Sequence, residues 1–185
     1  MSWFIMGTGI ALWWFAHLFK RILPNIRKYL GNFGAPIVGT LLVVSLILMI
    51  IGYRQTEFLY VWQPPEFMVH INNLLMVIAI FLFTPAAKKG RLVFGMRHPQ
   101  LIGFKTWAFA HLIVNGDLAS LLLFGFLLAW AVIEVIVINR LDREWHPLEG
   151  QGTYIMDGLF LVGSLVLLGI IGYIHYLIGV WPFPA

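Results

Sequence analysis

"RHPQLIGFKTWAFAHLIVNGDLASLLLFGFLLAWAVIEVIVINR", residues 97–140, sets a polar run directly against an apolar one. From Leu118 to Asn139 the only charged side chain is Glu134. Before it, Arg97, His98, Lys105, His111, Asn115 and Asp117 crowd into one short stretch. A run of about 20 apolar residues crosses the roughly 30 Å hydrocarbon core of a bilayer as a helix. The preceding segment, Gln100 to Val114, reaches only about 22 Å at 1.5 Å per residue. The Asn115–Asp117 turn is therefore expected inside the bundle, where irregular backbone must be buried by protein or reached by water. Asn-Gly is a turn signal, and Asp117 is placed to cap the next helix with Ser120 in its first turn. The fourth and fifth helices thus form a short hairpin.

The rest of the chain extends the same pattern. Of its 185 residues 61% are hydrophobic and 11% charged, against roughly 25% charged in soluble domains. Mean hydropathy is +0.88. Four further apolar segments run from Ser2 to Phe19, Pro36 to Tyr53, Phe67 to Pro85 and Gly158 to Trp181. The expected fold is an all-α integral membrane bundle of about six transmembrane helices, a single domain over residues 1–185. Eight Trp suit the two lipid–water interfaces, where such rings anchor. The N-terminal segment carries its positive charge after the apolar run and reads as a retained first helix.

Basic residues choose sides. Lys20, Arg21, Arg27 and Lys28, then Lys88, Lys89, Arg91 and Arg97, then Arg140 and Arg143 occupy three alternate loops. Arg54 alone falls on the opposite side. Such asymmetry places these loops in the cytoplasm and both termini outside. The net charge of +4 therefore orients helices in a lipid bilayer and does not point to nucleic acid. No cysteine is present, which excludes disulfides, thiolate ligands and Cys lipidation.

The six histidines are the remaining chemical handles. His146 lies in a charged loop and reads as solvated. His98 precedes Pro99, which suits the start of a helix. His111 sits in mid-helix with Trp107 one turn before it and Asn115 one turn after, so the three share a face. An ionisable group within a span is a functional candidate by default, although each such imidazole could equally bond to a neighbouring helix. His17 lies near the cytoplasmic end of the first helix, while His70 and His175 lie near the outer ends of theirs. Imidazoles on facing helices are a common way to hold a metal in a bundle core. Without cysteine, haem b held by two His is the more natural cofactor. No paired-acid, nucleophile–His or Gly-rich phosphate motif stands out.

The stretch from Arg97 to Gly125, with its Arg-His-Pro, Trp-x-x-x-His and Asn-Gly-Asp in order, resembles the NnrU family of bacterial membrane proteins. Weaker matches at His17, at "IGYR" and at "HYLIGVWP" extend the likeness over most of the chain. That resemblance implies a link to nitric oxide and denitrification or redox metabolism in the bacterial inner (cytoplasmic) membrane, with both termini periplasmic. The family includes a haem b carotene isomerase, whose "RHPQ…WCFAH" is similar to the motif here. It implies that His111 and His17 are axial ligands of one haem iron, with Trp107 and Asn115 beside it. Its Cys is Ala108 in this chain, which weighs against ligand switching and carotenoid isomerisation by that route. A looser similarity to isoprenylcysteine methyltransferases lies in Arg97 and His98; on the haem reading these would contact the propionates.

Depth sets His17 apart from His111. His17 lies near the cytoplasmic surface and His111 about 16 Å above Gln100 by helix rise. Pairing of His17 with His98, or of His111 with His70 or His175, is the alternative. Other readings are haem-dependent isomerisation of a hydrophobic polyene entering from the bilayer, and a non-catalytic scaffold for a respiratory or denitrification enzyme.

Overall fold

The structure, a computed structural model, describes residues 1–183. Its elements are helical: α1 (Ser2–Ile22), α2 (Pro24–Tyr29), α3 (Gly34–Gln55), α4 (Met68–Phe83), α5 (Ala86–Lys89), α6 (Pro99–Leu112), α7 (Leu118–Leu141) and α8 (Tyr154–Leu177). All six expected segments are helices. Among the described residues α1, α3, α7 and α8 are long and apolar enough to cross a membrane; α4 is apolar but shorter. The short α2 and α5 were not anticipated from the sequence.

The long helices alternate in direction, and several of their ends are tied together. Arg21 on α1 pairs with Glu134 on α7 at 2.5 Å. His98, which precedes α6, bonds to Asn139 near the end of α7. Gly90, after α5, bridges to Thr153 before α8. These contacts gather Lys20, Arg21, Arg27, Lys28, Lys88, Lys89, Arg91, Arg97, Arg140 and Arg143 at one end of the bundle, away from Arg54 at the end of α3.

Close backbone approach holds α1 on α3. Added Cβ atoms would lie 2.7 Å from the Met49 nitrogen at Gly9 and 2.7 Å from the Met6 Cα at Gly52, inside any real contact distance. With apolar lipid on the outside, such small-residue contacts supply packing where a hydrophobic driving force is missing. The core beside them joins Met6, Ile10 and Met49 to Ala119, Leu123, Phe124 and Leu127 of α7. The Trp14 indole N–H ties α1 to α7 by donating to the Phe126 carbonyl at 3.2 Å.

The Asn115–Asp117 turn is covered by protein, as the short helix requires. The loop between α3 and α4 folds over it: Val61 and Trp62 N–H donate to the Gly116 carbonyl at 2.8 and 3.1 Å, and Leu118 N–H to the Leu59 carbonyl at 2.9 Å. Buried Asp117 caps α7, accepting from Ser120 N–H at 2.9 Å and from the Ser120 hydroxyl at 2.5 Å. With that proton committed, the Tyr53 hydroxyl must donate to Ser120 Oγ, 2.8 Å away.

The last helix departs from expectation. It begins at Tyr154 instead of Gly158 and ends at Leu177. Thr153 is its N-cap, with Oγ1 accepting from Met156 N–H at 3.3 Å. Asp157, which a start at Gly158 leaves outside the helix, is instead buried in its first turn and bonded to the chain after α5.

Leucine at position 52 overpacks the α1–α3 crossing and should destabilise the protein by about 1–3 kcal/mol. For a chain of this size that lowers the thermal midpoint in detergent by roughly 2–12 °C. Leucine at Gly39, where an added Cβ meets open space, should leave the midpoint unchanged.

Candidate functional site

Each histidine within α1, α6 and α8 is held the same way. His17, His111 and His175 place Nδ1 at 3.0, 2.9 and 2.8 Å from the carbonyls of Trp13, Trp107 and Ile171, one turn earlier. A carbonyl can only accept, so Nδ1 carries the proton in all three rings. Nε2 is left as a free lone pair, the state in which imidazole ligates a metal.

Two of these rings share a space. His111 on α6 and His175 on α8 both line a cavity of about 230 Å³ floored by Met76, Ala79, Ile80 and Phe83 of α4. Its remaining lining, Trp107, Leu167 and Ile171, is apolar or aromatic, so the two imidazoles are its polar groups. The cavity exists because α8 reaches the bundle mainly through α4 and α5 and stands off from α6.

The expected partner, His17, lies elsewhere. Its ring packs between Trp13 and Trp130 at centroid distances of 4.2 and 4.3 Å. His111 stacks on Phe124 at 4.4 Å. Trp130 is six residues beyond Phe124 on α7, about 9 Å of helix rise. The rings of Trp13, Phe104 and Trp107, each packed against the next, fill the ground between the two imidazoles. The structure does not bring His17 and His111 together: α1 ends and α6 begins at the shared basic end, so His17 lies close to that end and His111 in the last turn of α6, far from it.

The other expected site residues serve the framework. The Arg97 guanidinium donates to the Asp142 carbonyl and lies 5.7 Å from the Trp145 ring centroid. His98 Nε2 donates to Asn139 Oδ1 at 2.7 Å, so its ring is committed to fastening the start of α6 onto α7. Neither lines the cavity. Asn115 Nδ2 donates to the His111 carbonyl at 2.8 Å, ending α6 and steadying the residue that carries the imidazole. Trp107 is both a wall of the cavity and a neighbour of the His111 ring, 5.0 Å between centroids. Ala108 is wholly buried and offers no ligating atom. His70 and His146 are exposed. No group of three or more His, Cys, Asp or Glu converges as a metal site among the described residues.

Sequence reading passed over the leucine, isoleucine and phenylalanine walls contributed by α4 and α8. Their apolar character is the same toward lipid as toward a cavity, so no local signal separates the two. His175 carried a signal: it was one of three possible partners for His111.

A family model described as NnrU protein matches residues 5–182, nearly the whole chain. No curated protein and no solved structure matches it.

The Arg21–Glu134 pair beneath His17 gives a test of the packing at the basic end. Glu134 is buried, and its second oxygen has no protein partner. Arg21→Ala strands that carboxylate and should cost about 3–5 kcal/mol, whereas Arg21→Met combined with Glu134→Leu should recover most of the loss. Thermal denaturation of the single and double variants measures the difference.

Proposed function

The chain belongs to the NnrU family, and from that membership we propose that it is an integral membrane haem b protein of the bacterial inner membrane, serving nitric oxide, denitrification or redox metabolism. One observation carries the haem reading. His111 and His175, from different helices, face one apolar cavity with Nε2 unused and Nδ1 bonded to backbone. The donor set fits iron, and the lining fits a largely hydrophobic macrocycle. At about 230 Å³ the enclosed part is smaller than the roughly 300–1,000 Å³ of common ligand sites. Holding a porphyrin there would require more room than the cavity encloses.

In this reading His111 and His175 are the iron ligands, and His17 is not. Asn115 fixes the end of α6 and Trp107 walls the macrocycle. Bound haem iron would supply one-electron redox chemistry. The protein's part is to orient two imidazoles and to keep water from the pocket. The basic end of the bundle faces the cytoplasm by the positive-inside rule, which puts both termini in the periplasm.

Protein purified after haem-replete expression should show a Soret band. His111→Ala and His175→Ala should each remove or shift it, and His17→Ala should leave it unchanged. A haem-free wild type rejects the cofactor. A band lost with His17→Ala but kept with His175→Ala rejects the pairing.

A further inference from the structure

The cavity lined by His111 and His175 has a third donor. Met76 of α4 lines it as well. Met76, Ile80 and Phe83 fall at i, i+4 and i+7 along α4, so they share the face that floors the cavity. The Met76 side chain is buried, and its thioether is a soft, uncharged ligand. Three ligand-bearing side chains thus reach one space from three helices. About 230 Å³ is too little for a macrocycle and ample for a single ion.

The lining also selects the ion. Both imidazoles bond to backbone through Nδ1–H and leave a neutral Nε2 to ligate. No carboxylate or thiolate lines the cavity, and Trp107, Leu167 and Ile171 complete an apolar wall. Nothing there offsets a second positive charge. The Born cost of taking an ion out of water grows with the square of its charge, about fourfold from a monovalent to a divalent ion of one size. Zn(II) sites are mostly four-coordinate, and non-haem Fe(II) commonly adds a carboxylate to two His. No group of three or more His, Cys, Asp or Glu converges among the described residues. Alkali ions are monovalent but take oxygen ligands. Cu(I) is monovalent and soft, and it accepts imidazole and thioether.

We propose that the haem-free chain binds one Cu(I) in this cavity, through Nε2 of His111 and His175 and the thioether of Met76. The inference rests on the same pair of imidazoles as the haem reading and not on haem itself. Haem and Cu(I) compete for that pair.

Titration with Cu(I) against the chelator bathocuproine disulfonate tests it. The full-length protein is expressed without added haem precursor, solubilised in detergent and kept free of oxygen. Wild type should take one Cu(I) per chain from the chelator, and excess Zn(II) should not displace it. His111→Ala and His175→Ala should each weaken binding by at least about tenfold. Met76→Leu, which conserves volume, should weaken it several-fold, and His17→Ala should leave it unchanged. X-ray absorption of the wild-type complex should show nitrogen and sulfur neighbours around Cu(I), which keeps the test decisive if a variant does not fold. No uptake by the haem-free chain, uptake untouched by His175→Ala, or a Cu(I) shell without sulfur overturns the proposal. A chain that shows a Soret band with haem and takes no Cu(I) without it overturns this inference and leaves the haem reading standing. Cu(I) uptake by a chain that never acquires haem does the reverse.

Discussion

Backbone polar groups within a bilayer have no water to turn to, and α6 is too short to hide its own. Fourteen residues rise about 21 Å, while the hydrocarbon core is roughly 30 Å thick. The chain must therefore turn back at a depth where every N–H and C=O needs a protein partner. The loop between α3 and α4 provides it, wrapping Leu59, Val61 and Trp62 over the Gly116 turn. The Tyr53–Ser120–Asp117 chain of hydroxyls and carboxylate closes the start of α7 below. Because the turn is held there, His111 ends up inside the bundle.

The same economy governs the imidazoles. A histidine in a helix with its ring folded back onto the carbonyl one turn earlier satisfies one nitrogen internally and offers the other outward. Three helices use that device, but what each ring meets depends on packing. Around His17 the neighbours are Trp13, Trp130 and the Arg21–Glu134 pair, a block of aromatic rings closed by an ion pair. Around His111 the neighbouring helix is α8, which contacts α4 and α5 and leaves room beside α6. Asp157 is part of the reason: by fastening the start of α8 to the chain after α5, it settles where that helix stands.

Membership of the NnrU family covers nearly all of this framework. The framework residues of the Arg97–Asp117 stretch show why such a run can be polar without being a site throughout. Arg97 and His98 clamp the start of α6 to the end of α7, and Asn115 and Asp117 finish one helix and begin the next. Among them His111 alone presents an unused nitrogen to a cavity.

Local chemistry settled much of this before any packing was known. Apolar runs of bilayer length located the helices, the Asn-Gly-Asp turn located the hairpin, and the alternation of basic loops separated the two ends. Each depends on transfer energies and hydrogen bonds that act within a few residues. The expected start of α8 at Gly158 missed its first turn, where Asp157 is buried by bonds to backbone far away in the chain. The pairing of imidazoles was out of reach for a related reason. It turns on the relative height and spacing of helices far apart in the chain, and an apolar side chain facing lipid is indistinguishable in sequence from one facing a cavity. Only the assembled bundle decided that His175, and not His17, stands across from His111.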